Sequence, residues 1–312
     1  MTRLNSVAAA IAAAALLASS FVTADHHGGA HASSITKIDS NEFGIDAKEI
    51  ADIKAQMQAA VDGGFIAGNI LLVGNSEGVG VLETTGTQGP EQSTPMDEQT
   101  LFRIYSMTKP IVSVATMTLV EDGLLAISDP VSKYIPEFAN MTVINEETGA
   151  ITPAANEMTV QDLLTHESGL IYGIFDPQSE LGKMYFQAGS LRSDITALTL
   201  AQNLAALPLR FEPGTKWNYS RSTDVLGAVI EVAAGKPLDT LLNERIFAPL
   251  GMDETTFFVD VSKAARIAHP IHGEMADPTV VTPMLSGGGG LHSTTEDYVR
   301  FASMLLGGGE YN

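Results

Sequence analysis

Phe102-Arg103-Ile104-Tyr105-Ser106-Met107-Thr108-Lys109-Pro110 is the stretch on which the reading of the chain turns. Ser106 and Lys109 form an S-x-x-K pair. Alone the pattern is weak: 22 serines and 9 lysines in 312 residues supply about 0.6 such pairs by chance. Ser34-Ile35-Thr36-Lys37 also matches, inside a polar stretch, and reads as the chance hit. Context separates the two. Leu101, Phe102 and Ile104 precede Ser106, and the segment from Ile111 to Leu125 is apolar on nearly every face, the pattern of a buried helix. Pro110 is tolerated only in a first turn, which places Ser106 at the helix N-terminus. Residues three apart share a helix face, so Lys109 reaches the Ser106 hydroxyl. The positive helix end favours developing negative charge there, and an amine withdrawn from water is easier to hold neutral as a proton acceptor. On these residues alone, a serine cap beside a surface lysine stays an open alternative.

Working outward, further segments follow in a fixed order. They are Asp129-Pro130-Val131 with Tyr134-Ile135-Pro136-Glu137-Phe138, then Asp162-Leu163-Leu164-Thr165-His166-Glu167-Ser168-Gly169-Leu170. Phe211-Glu212-Pro213-Gly214 leads to Tyr219-Ser220, followed by Pro249-Leu250-Gly251-Met252 and Ser286-Gly287-Gly288-Gly289-Gly290-Leu291. Together with Phe102 to Pro110, the set resembles the serine β-lactamase and penicillin-binding-protein superfamily. It is most similar to the branch of class C β-lactamases, D-aminopeptidases and β-lactamase-like (family VIII) carboxylesterases. The resemblance covers roughly residues 42–312. It implies an α/β (α+β) fold of the β-lactamase/transpeptidase type, with an antiparallel sheet flanked by helices and a helical lobe over about 128–208.

The resemblance also implies roles. Ser106 would be the nucleophile and its backbone N–H an oxyanion donor, with Lys109 and Tyr219 moving protons. A phenol does this near neutral pH only if cations lower its pKa of about 10. The plain alternative is a core tyrosine, with Trp217 two residues earlier on a strand-like stretch. Arg221 stands where a β-lactamase carries an asparagine for the substrate amide; a bulky group without an acceptor points toward esters. A carboxylesterase working through an acyl-enzyme is therefore the leading expectation, with no metal or organic cofactor implied. A β-lactamase, a D-Ala-D-Ala carboxypeptidase or D-aminopeptidase, and a non-catalytic penicillin-binding-fold protein are the alternatives. The family's third motif, K-T-G or H-x-G on a late strand, has no counterpart after the last helix. The expectation is a C-terminally truncated domain, lacking sheet strands and one oxyanion donor, and inactive as it stands.

Other features bound the answer. A formal charge of −20 disfavours phosphate backbones, so nucleic acid is a poor partner and a small ester or amide a better one. The absence of cysteine removes thiolate metal sites and cysteine nucleophiles. Arg3, the apolar run Val7 to Ala18 and Val22-Thr23-Ala24 read as a signal peptide cleaved after Ala24, implying a periplasmic or secreted protein. The run is shorter than the roughly 20 residues a membrane anchor needs. Residues 25–41, with His26, His27 and His31, read as a flexible leader in preference to a metal site. Gly74-Asn75-Ser76-Glu77-Gly78 matches G-x-S-x-G but lies between two β-rich runs, Asn69 to Val73 and Val79 to Thr85, and reads as a hairpin turn. His166 reads as a structural helix end, Gly287 to Gly290 as a turn without the lysine of a phosphate loop, and Ser293-Thr294-Thr295-Glu296 as a capping box.

Overall fold

The computed structural model describes residues 36–310. The expected signal peptide, His26, His27, His31 and the serine of the second S-x-x-K match lie outside them. Helix α1 (Ala47–Asp62) opens on a capping box between Asp46 and Glu49 and ends at Gly63. Strands β1 (Gly68–Gly74) and β2 (Val79–Gly86) form an antiparallel hairpin in which Leu72 faces Leu82. Asn75 holds its turn by accepting the Glu77 and Gly78 N–H groups, so Ser76 lies in a hairpin turn, as read from the sequence. Six residues of the expected leader are ordered. Ile38 donates to the Val79 carbonyl and Val79 to that of Thr36, because the β2 edge offers unpaired backbone groups there.

Strand β3 (Phe102–Arg103) leads through a single 3-10 turn, Tyr105–Met107, into α2 (Thr108–Glu121), whose first turn holds Pro110. The expectation of a helix buried on every side is corrected. Ile111, Val112, Ala115, Thr116 and Leu119 bury one face, while Met117 is 43% exposed and Val114 and Val120 are half-buried. The 128–208 region is not purely helical. It contains a small antiparallel pair, β4 (Thr142–Ile144) with β5 (Ile151–Pro153), beside α3 (Val160–Thr165), α4 (Glu180–Gln187) and α5 (Ala197–Ala205). Thr159 and Asp162 cap α3 reciprocally.

The centre of the molecule is α6 (Ser222–Ala234), in which every residue from Ser222 to Ile230 is buried. Helices α2, α3, α5 and α7 (Leu238–Leu242) all pack against it. A π turn, Asn243–Phe247, links α7 to the short α8 (Ala248–Leu250). Strand β6 (His292–Ser293) pairs antiparallel with β3, and α9 (Thr295–Leu306) follows. The cap of α9 is Thr294, which accepts from Asp297 N–H, one residue later than expected. Ser293 is committed to β6, its hydroxyl bonded to that of Thr255. Among the described residues, all three named strand pairs are antiparallel, and no helix is long and apolar enough to cross a membrane.

Candidate active site

The heads of α2 and α6 lie side by side, and this brings together residues more than a hundred positions apart. Ser106 Oγ is 2.5 Å from Tyr219 OH and 3.2 Å from Lys109 Nζ. Lys109 Nζ also donates to Tyr172 OH at 3.3 Å and to the Gly288 carbonyl at 2.5 Å. An ammonium has three N–H donors, and these three acceptors match them one for one. The same nitrogen lies 4.7 Å from the centre of the Tyr219 ring. Burial alone would push the Tyr219 phenol up. The nearby Lys109 ammonium, and after it the Ser106 hydroxyl bonded to the phenol, outweigh it and hold the phenol below its usual value. Tyr172, more deeply buried and facing the Asp224 carboxylate, is pushed well above the ordinary range. Of the two tyrosines, Tyr219 is the one poised to lose a proton.

The turn carrying Ser106 is strained. Tyr105 has φ 42°, a left-handed conformation that costs a bulky residue on the order of 1–2 kcal/mol. It is held on both flanks: Ile104 N–H donates to Leu291 O at 3.0 Å, and Tyr298 OH donates to Met107 O at 3.1 Å. The Ser106 N–H sits in this turn, just before the positive end of α2. On the other side of Tyr105 an apolar recess of about 370 Å³ is lined by Phe65, Ile66, Met96, Phe102 and Met275.

The loop Ser286 to Leu291 closes the site through a buried acid. Asp224 is fully buried in the first turn of α6; it accepts from Ser286 Oγ at 2.5 Å, Gly288 N–H at 3.1 Å and Arg221 Nη1 at 3.1 Å. The loop lies so close that a Cβ on Gly287 would stand 2.6 Å from the Thr223 carbonyl oxygen. Arg221, which stands where the resemblance implies a substrate-binding asparagine, is tied to Asp224. Its guanidinium pairs with Asp224 and lies 4.8 Å from the centre of the Tyr172 ring, because a buried carboxylate draws the nearest cation.

Tyr219 is not a core tyrosine: it is half-buried at the end of a segment that belongs to no strand. His166 ends α3 at φ 61°, its ring 4.8 Å from Tyr219 and its Nδ1 accepting the Ser220 N–H at 3.3 Å. Burial, aided by the Lys109 charge, lowers its pKa to about 4. It makes no hydrogen bond to Ser106. Reading the sequence missed Tyr172 and Asp224. Tyr172 left no spacing signal. Asp224 did leave one: it is the lone acid at the head of the apolar run Val225 to Val232, interrupted only by Glu231. Among the described residues no cluster of metal-ligating side chains occurs.

The chain is similar to known proteins over most of its length. Protein Rv1367c of Mycobacterium tuberculosis is 34% identical over 269 residues, covering 82% of this chain and 66% of its own length. Esterase EstB of Burkholderia gladioli is 34% identical over 249 residues, covering 77% and 59%. The structure of EstCE1, described as a hydrolase with promiscuous acyltransferase activity, superimposes with a TM-score of 0.68 at 26% identity, covering 83% of this chain and 72% of that one. The chain thus spans about two thirds or less of the curated relatives it matches. With the β-lactamase family signature matching residues 53–312 and relatives at 34% identity, the chain belongs to the β-lactamase family.

Proposed function

We propose that this chain carries the catalytic core of a serine carboxylesterase that acts through an acyl-enzyme on Ser106. The observation that carries the reading is the triangle of Ser106 Oγ, Tyr219 OH and Lys109 Nζ. Tyr219, its phenolate favoured by the Lys109 charge, takes the hydroxyl proton as Oγ attacks the ester carbonyl. The Ser106 N–H and the head of α2 stabilise the oxyanion. Collapse breaks the bond to the alcohol oxygen, and Tyr219 returns the proton to that leaving oxygen. Water, activated by the same phenolate, then releases the acid.

An ester is favoured over a β-lactam because EstB is named an esterase, and because Arg221, which lies over Tyr172, offers no acceptor to a substrate amide. The test compares a short-chain nitrophenyl ester with a chromogenic cephalosporin, using the native protein and Ser106→Ala. Ester turnover that vanishes in Ser106→Ala supports the proposal; cephalosporin turnover far above ester turnover replaces it with a β-lactamase or peptidase reading. Export is part of the proposal, resting on Val7 to Ala24. N-terminal sequencing of exported protein is expected to begin at Asp25, and a retained Met1 would refute it.

A further inference from the structure

Two of the most exposed large apolar side chains stand beside Tyr219. Trp217 is 67% exposed and Phe175 69%, with Ile174 beside it at 40%. Single exposed apolar residues need no explanation, but a cluster around one polar atom does. Both rings are held in place. Trp217 lies near-parallel to Tyr219, with centroids 6.5 Å apart and an interplanar angle of 27°, and meets His166 edge-on at 6.4 Å. Phe175 lies 6.3 Å from Tyr219 and edge-on to Tyr172 at 5.6 Å. The segments that carry them are anchored: Leu170 and Ile171 are buried, and Asn218 Nδ2 donates to Leu170 O at 3.0 Å. Rigid, solvent-facing rings at fixed spacing are what an apolar ligand requires.

The mechanism decides which part of the ester they face. Tyr219 returns its proton to the leaving oxygen, so that oxygen comes within hydrogen-bond reach of Tyr219 OH. The carbon skeleton of the alcohol is joined to that oxygen and so is the part of the ester held nearest Tyr219, whose ring neighbours are Trp217 and Phe175. The acyl chain leaves the carbonyl carbon along a different bond. From this we infer that Trp217 and Phe175 form the alcohol-side subsite, selecting esters whose alcohol bears an aromatic or other ring-sized apolar group. The inference rests on the esterase reading above. Because both side chains are exposed, replacing either leaves the core intact.

The experiment uses two matched ester series: acetates of ethanol, benzyl alcohol and naphthylmethanol, and ethyl esters of acetic, butyric and phenylacetic acids. The ratio kcat/KM reports steps through acylation, when the alcohol is still bound. Trp217→Ala and Phe175→Ala are expected to lose about tenfold on benzyl and naphthylmethyl acetates and less than about twofold on ethyl acetate. The acyl series is expected to be unchanged. Equal losses across both series, or losses confined to the acyl series, overturn the inference. Trp217 is the only tryptophan of the chain, which gives a second readout. Benzyl alcohol titrated into Ser106→Ala is expected to shift tryptophan emission to the blue saturably, and an unsaturable response overturns the assignment. A fluorophosphonate probe separates the two levels. Labelling of Ser106 with a failed subsite test overturns the subsite alone, whereas no labelling and no ester turnover overturns both.

Discussion

Asp224 holds Gly288 by its N–H at 3.1 Å, while the carbonyl of the same glycine accepts Lys109 Nζ. One residue of the loop therefore connects a buried carboxylate on α6 to the lysine on α2. Asp224 also pairs with Arg221, which lies over Tyr172, a second acceptor of Lys109. The carboxylate thus positions two of the three groups that aim the lysine without touching substrate. Asp224→Asn keeps the volume and removes the charge; kcat is expected to fall about tenfold or more with KM little changed, since small displacements of aligned groups are costly. An unchanged kcat by steady-state kinetics would refute the link.

The glycines of that loop give a second check. Gly287→Ala drives a methyl into the Thr223 carbonyl, backbone that cannot swing aside. A loss of about 1–3 kcal/mol in unfolding free energy is expected from such overpacking, measured by urea titration. Ester turnover is expected to fall further than stability explains, because the shift passes to Gly288 and then to Lys109.

The pH dependence follows from Tyr219. Its phenol is held below its ordinary value, and in the proposed mechanism the active form is the phenolate. Activity is therefore present above the lowered pKa and lost as pH falls through it. The polar groups facing Tyr219 are Ser106 and Lys109 at the head of α2, and Tyr172 and His166 from the lobe. Tyr172→Phe removes a neighbouring hydroxyl that helps lower the phenol, and the acid limb of kcat/KM is expected to move to higher pH. A limb that stays put would show that Tyr219 is not the titrating base.

His166 predicts a stability effect of separate origin. Its pKa is lowered from 6.5 to about 4. Between those values the unfolded chain binds a proton that the folded chain resists, so stability falls as pH drops through the window. Asparagine suits the left-handed backbone at φ 61°. His166→Asn is expected to flatten the decline in urea midpoint between pH 6.5 and pH 4 relative to the native protein, and parallel curves would count against it.

Local chemistry made part of this legible in advance. The hairpin runs at 69–73 and 79–85 fall within β1 and β2, because alternation and a turn sequence act over a few residues. The pairing of Ser106 with Lys109 follows from helical spacing, and Tyr219 from the order of motifs. Side-chain partners set by packing were not legible. The tie from Asp224 to Gly288 spans 64 residues, and the burial of Arg221 against Asp224 depends on where the loop lands. The cap of α9 shifted by one residue because Ser293 had a strand partner that no local pattern reveals.

The left-handed tyrosine at 105 sets an evolutionary exchange beside the proposed nucleophile. A residue content with that conformation would relax the turn and raise the melting temperature, so heat resistance and turnover pull in opposite directions at this one position. A library selected on thermal survival alone would drift toward asparagine or glycine at 105. Its survivors would be sturdier proteins with a serine no longer held to one aim.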